Sequence, residues 1–136
     1  MIANGATTTW EHWNGERSRI HNCYNGIGSW LYQAIGGIRP GPSAAAYQKV
    51  IIQPQIPEGV TWAKTSKETP YGNLTVNWET KGKTMQMELE IPVGVEAAVI
   101  IPSGVERYRL NGKEKNRSKG QEAQPTLKSG KYKLIY

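Results

Sequence analysis

The sequence predicts a mainly β protein: an antiparallel β-sandwich of jelly-roll type, preceded by a short loop and one α-helix. Three observations predict it. After Pro42, apolar and polar residues alternate with period two in one segment after another. Gly-containing hairpin signals separate those segments at Lys81-Gly82, Asn111-Gly112 and Ser129-Gly130. The only convincing helical period lies before Arg39-Pro40-Gly41-Pro42, where the chain changes character.

Taken in order, Met1 to Cys23 shows neither period and reads as loop, with turn signals at Asn4-Gly5 and Asn14-Gly15. Residues 24–38 place Ile27, Trp30, Leu31, Ala34, Ile35 and Ile38 at helical spacing. That spacing predicts one amphipathic helix over about 25–37, stopped by Gly36-Gly37 and barred from extension by Pro40 and Pro42. Strands are expected at Tyr47 to Gln53, closing at Pro54, and at Val60 to Thr65. Leu74, Val76 and Trp78 alternate with Thr75, Asn77 and Glu79; Met85, Met87, Leu89 and Ile91 alternate with Gln86, Glu88 and Glu90. Val95 to Ile101, Arg107 to Leu110 and Lys131 to Tyr136 complete the set. Such alternation gives each sheet one wet and one dry face.

Residues 43–136 are numerous enough to enclose a core of their own. Residues 1–40 are not, because one helix and a Trp-bearing loop cannot bury an apolar face without a partner surface. The first stretch is therefore expected to belong to something larger. Its helix, 25–37, is a surface for self-association where that larger body is missing.

Composition narrows the function classes. The longest apolar runs, such as Ala97 to Ile101, are far too short to span a bilayer, so no membrane partner is expected. Met1-Ile2-Ala3-Asn4 lacks the basic and apolar regions of a signal peptide. A lone cysteine, Cys23, excludes an internal disulfide and is expected as a small buried hydrophobe. All eleven carboxylates are Glu, so any two-carboxylate chemistry must come from glutamates. The net charge of +6 is concentrated after Val105, where nine Lys or Arg face three Glu. A basic stripe can mark a nucleic-acid footprint, but no helix-turn-helix, zinc or RNP-like pattern accompanies it. The favoured reading is a solvated sheet edge guarded by lysines, with no nucleic-acid partner.

The densest chemistry lies in Gly5-Ala6-Thr7-Thr8-Thr9-Trp10-Glu11-His12-Trp13-Asn14-Gly15, followed by Arg17, Arg19 and His21. A glutamate between two tryptophans has a use in sugar chemistry. Indole faces take the C–H surface of a pyranose, while the carboxylate serves as acid, base or nucleophile. His21 can orient a hydroxyl or a water through a ring nitrogen. Each residue also has a plainer role: tryptophans as core, the glutamate in a surface ion pair with an arginine, histidines as hydrogen-bonded scaffolding.

The strings GATTTWEHWNG, IHNCYNGIGSWLYQAIGGIRP and YQKVIIQPQ, with VTWAKTSKETPYGNLTVNWE beyond them, closely resemble the C-terminal third of bacterial α-L-rhamnosidases of glycoside hydrolase family 78. The similarity runs to about Pro102 and then thins. It implies a remnant of an (α/α)6 catalytic barrel over 1–40, including the helix, and a C-terminal β-sandwich over 43–136. It implies an inverting glycosidase acting on rhamnose-containing glycosides without a cofactor or metal, with a periplasmic or secreted setting favoured. By the same resemblance Glu11 is the general base. His21, nine residues before Trp30 as in the family pattern, contacts the sugar, and Trp10 and Trp13 are pocket walls. The loop between Glu11 and His21 is shorter than in many relatives. The family's general acid lies in an earlier segment, so the chain by itself is expected to be inactive.

A rival reading is a non-catalytic carbohydrate-binding sandwich, whose sign would be aromatics exposed on a sheet face: Trp62, Tyr71 or Trp78. A weaker rival is a polyanion binder using Arg107 to Lys133.

Overall fold

The computed structural model describes residues 1–22, 26–117 and 124–136. Cys23, Lys119 and Glu122, and the first residues of the expected helix, lie outside the described residues. The chain forms two compact units, Met1–Trp30 and Leu31–Tyr136.

Among the described residues, the larger unit is a sandwich of ten strands. Its four-stranded sheet runs β1 (Ile38–Pro40), β2 (Lys49–Ile52), β6 (Glu96–Val99) and β9 (Thr126–Leu127). Its six-stranded sheet runs β3 (Trp62–Thr69), β4 (Gly72–Lys81), β5 (Thr84–Ile91), β10 (Gly130–Ile135), β7 (Arg107–Leu110) and β8 (Lys113–Asn116). The mainly β, sandwich expectation holds. One pairing is parallel: β2 lies beside β6 with Val50 opposite Ala97 and Ile52 opposite Val99, while every other pair is antiparallel. Local alternation does not encode that pairing, because a hairpin-built sheet and a crossover share the same period.

The core is where the alternation places it. Leu74, Val76, Trp78, Met85, Met87, Leu89, Ile91 and Leu134 of the larger sheet meet Ile38, Val50, Ile52, Ala97, Val99 and Leu127 of the smaller one in a single buried cluster. Their intervening neighbours, such as Thr75, Asn77, Glu88 and Glu90, face water. The turn at Asn111-Gly112 carries positive φ at both residues (50° and 78°), the backbone that a two-residue hairpin requires and that Asn and Gly tolerate.

The expected helix is present only in pieces. Gly26–Trp30 is a single α turn, all of it exposed, and Leu31–Ile35 is a π-helical turn closed by Gly36 N–H to Leu31 O at 2.8 Å. The sandwich explains the wider turn. It takes over the carbonyls at the turn's end: Gln55 N–H donates to Ala34 O (2.9 Å) and Trp78 Nε1–H to Ile35 O (2.8 Å). Helix-end carbonyls need such donors, and here a core tryptophan and a loop amide supply them. Gly36 and Gly37 stop the helix as expected, and both positions need glycine. A Cβ on Gly36 would meet the Thr65 side chain at 2.7 Å; Gly37 has φ +72° and packs its Cα against the Pro54 backbone.

Three strands are not legible as periodic segments. β1 has three residues and ends in Pro40, tolerable because β1 is an edge. β9 has two residues. β8 is exposed throughout and so carries no alternation.

Candidate functional site

The chemistry-bearing residues are in the smaller unit, on a loop folded back on itself. His21 N–H donates to Thr9 O and Glu11 N–H to Ser18 O, both at 2.8 Å, while Thr8 Oγ1 donates to Arg19 O. The tip turns at His12–Gly15, where Gly15 N–H donates to His12 O (3.1 Å) and the Asn14 side chain accepts from Glu16 N–H (3.1 Å). Asn in that role, followed by Gly15 at φ +84°, is the turn chemistry expected of Asn14-Gly15. Arg17 also lies in the left-handed region, with φ +59°, and this bend brings its side chain back toward Glu11.

Trp10 is the packing centre of the loop. Its indole is buried, and Gly15 lies so close that a Cβ there would come within 2.9 Å of the ring. Arg19 covers the ring from 5.3 Å and ties its Nε–H to Gly15 O (3.1 Å). Glu11 is the next residue along the loop. Its Oε2 accepts from Ser18 N–H at 3.3 Å, its Oε1 is 3.5 Å from Arg17 Nη1, and Oε2 is 3.9 Å from His21 Nδ1. The last distance is an approach rather than a hydrogen bond. Ser18 presents an N–H and Arg17 a positive charge, so the carboxylate is the acceptor of the cluster.

Of the residues picked from the sequence, Glu11 and His21 come together, and Trp10 is the buried indole of the same loop. Trp13 stands 76% exposed, its carbonyl held by Asn4 Nδ2 at 3.2 Å. Ser18 was missed. Its contribution is a backbone N–H, set by the fold-back register rather than by residue type, and no sequence signal reports it. Among the described residues no group of three or more His, Cys, Asp or Glu side chains could hold a metal, and no helix is long and apolar enough to cross a membrane.

The basic tail runs over β7, β8 and β10, and three of its cations have a carboxylate partner among the described residues. Lys113 and Lys115 lie on β8, the border of the six-stranded sheet. Further in, Arg107 faces Glu114 (3.5 Å), Lys131 faces Glu90 (3.3 Å) and Lys133 faces Glu88 (4.0 Å). Of the three aromatics considered as sugar platforms, Trp78 is core, Tyr71 is half-buried and Trp62 is 63% exposed.

Comparison with known proteins decides the family. The model of the bacterial alpha-L-rhamnosidase C-terminal domain matches residues 37–117. The chain belongs to the bacterial α-L-rhamnosidase family. The model of that family's 6 hairpin glycosidase domain matches residues 1–35. An alpha-L-rhamnosidase of Formosa agariphila is 31% identical over 99% of this chain, and one from Alteromonas sp. (strain LOR) is 29% identical over 98%. Among solved structures, the α-L-rhamnosidase of Streptomyces avermitilis complexed with L-rhamnose superimposes with a TM-score of 0.77 at 26% identity, covering 99% of this chain. That from Dictyoglumus thermophilum gives 0.75 at 26% identity over the same share. The chain spans about one-sixth of the length of these rhamnosidases: 16% and 15% of the two curated relatives and 14% and 16% of the two solved chains.

Proposed function

We propose that this chain supplies the last part of an inverting α-L-rhamnosidase: residues 1–40 one wall of the sugar site, residues 43–136 the C-terminal sandwich. Glu11 is the general base. It takes a proton from the water whose oxygen attacks the anomeric carbon of a terminal α-L-rhamnoside, as the bond to the leaving oxygen breaks. His21 holds a sugar hydroxyl, and Trp10 and Trp13 shape the wall. The supporting observation is the cluster itself. A carboxylate ringed by Ser18 N–H, Arg17 and His21 stands on the loop of a segment matched by the glycosidase-domain model.

Inversion also needs a protonated carboxyl about 6.5–9.5 Å across the sugar. Glu16, the other carboxylate among residues 1–22, is an exposed turn residue whose backbone is committed to Asn14. The chain alone therefore does not turn over. Its partners are rhamnose-containing glycosides rather than nucleic acid or membrane, and it uses no cofactor. Ile27 and Trp30, 70% and 51% exposed, mark the surface through which it self-associates in isolation.

The test grafts the chain onto the Streptomyces avermitilis enzyme in place of the corresponding part. The chimera should release rhamnose with inverted anomeric configuration, read by proton NMR of the first-formed sugar. Glu11→Gln should lower kcat by about a thousandfold while leaving the melting transition unchanged. Full activity in the Glu11→Gln chimera, or rhamnoside hydrolysis by the chain alone, would refute the assignment.

A further inference from the structure

We infer that the outer face of the six-stranded sheet around Trp62 is a binding platform for a neutral saccharide chain, separate from Glu11. Alternation along β3 turns Trp62 and Lys64 outward, and the register sets Glu79 opposite Trp62 and Asn77 opposite Lys64. The next strand adds Gln86 beside Glu79 and Glu88 beside Asn77. These six side chains line an open cleft of about 260 Å³ in the Leu31–Tyr136 unit. That is slightly below the roughly 300 Å³ at which sites for drug-sized ligands begin, so it has room for a single ring held against a flat wall.

The chemistry of the lining selects the occupant. Trp62 leaves 63% of its surface in water although its strand neighbour Ala63 turns inward and Trp78, the other tryptophan of this sheet, is 3% exposed. An indole face in water beside amides is suited to a pyranose, whose axial hydrogens cover the ring while its equatorial hydroxyls reach polar side chains. The half-buried amides of Asn77 and Gln86 each offer donor and acceptor, and Lys64, Glu79 and Glu88 complete the hydroxyl-binding set. A protein partner would call for a contiguous apolar patch, and only one apolar ring is present here. Glu79 and Glu88 repel nucleic acid and acidic polysaccharides. Lys81 at 3.0 Å and Lys133 at 4.0 Å offset their charge enough for a neutral ligand. The platform stands on these residues alone; the kind of sugar offered to it rests on the rhamnosidase reading above.

The experiment titrates the ¹⁵N-labelled full chain with a neutral rhamnose-containing tetrasaccharide and follows the five indole N–H signals. The Trp62 signal, assigned by its loss in Trp62→Ala, should move saturably with a dissociation constant of about 1 mM, a typical weak single-ring contact. Trp62→Ala should weaken binding at least about tenfold, Trp62→Tyr should keep most of it, and Glu11→Gln should leave the Trp62 shift unchanged. Because Trp62 is exposed, unchanged thermal unfolding of both Trp62 variants will separate lost binding from lost fold. An immobile Trp62 signal overturns the platform. So does a signal that moves with protein concentration instead of sugar, which would make the face a contact between copies. If the sugar moves only residues 1–22, the Glu11 site survives and the platform falls.

Discussion

The two units are stabilised in different ways. Among the described residues, Leu31–Tyr136 buries sixteen apolar residues in one cluster, all but Val95 and Ile101 on strands. Among the described residues, Met1–Trp30 buries one large side chain, Trp10, and leaves Ile2, Trp13, Ile20, Ile27 and Trp30 more than half exposed. What shapes its loop is a set of hydrogen bonds around a single indole. Such bonds contribute only about 1 kcal/mol each in net terms, whereas burying a Leu or Ile side chain contributes about 1.5–3 kcal/mol. The stability of the chain therefore resides in the sandwich and its candidate chemistry in the loop.

Removing a piece of the core should give the largest effect. Trp78→Ala leaves a cavity beneath both sheets and strips Ile35 O of its donor, so it should cost about 3–5 kcal/mol in urea unfolding. A loss below about 1 kcal/mol would mean that the Leu31–Ile35 turn and the core are not joined as described. Gly37→Ala should follow at about 2–3 kcal/mol, since φ +72° and the Pro54 backbone leave a methyl no room.

The matching change in the loop sharpens the contrast. Gly15→Ala forces a methyl onto Trp10 at a left-handed position, yet the sandwich transition should shift by less than about 0.5 kcal/mol. The Trp10 emission should move to the red in the same sample. A parallel drop in the sandwich midpoint would show that the two units unfold together.

The smallest effect belongs to alkaline pH. Burial raises the Tyr136 phenol above its ordinary 10.0. The unfolded phenol then ionises first, so stability present below pH 10 falls as pH rises through the folded value. Tyr136→Phe should flatten that decline by a fraction of a kcal/mol, measured as the midpoint difference between pH 9 and pH 11. An unchanged slope would mean that burial does not perturb this hydroxyl.

The same division governs how much could be read from the residues. Long strands with one wet face announce themselves: Leu74 to Trp78 and Met85 to Ile91 fall where their period puts them. β8 and β9 do not, because an exposed edge and a two-residue bridge have no period to display. The break of the helix into an α and a π turn was also hidden, since Gln55 and Trp78 impose it from far along the chain. In the loop, Glu11 and His21 were picked out by family resemblance rather than by periodicity. Their neighbours Ser18 and Arg17 depend on a fold-back register that residue type does not specify.

The borders of the sandwich have a practical consequence. Each sheet ends in strands that make poor templates: β1 carries Pro40, β9 is two residues long, β3 sets Lys64 and Lys67 along its length, and β8 sets Lys113 and Lys115. A foreign strand finds at every rim either a missing amide, too short a ladder or a row of ammonium groups. Edge-to-edge pairing with another copy is thereby disfavoured at each rim. Replacing Lys113 and Lys115 with valine would remove that protection from the β8 rim.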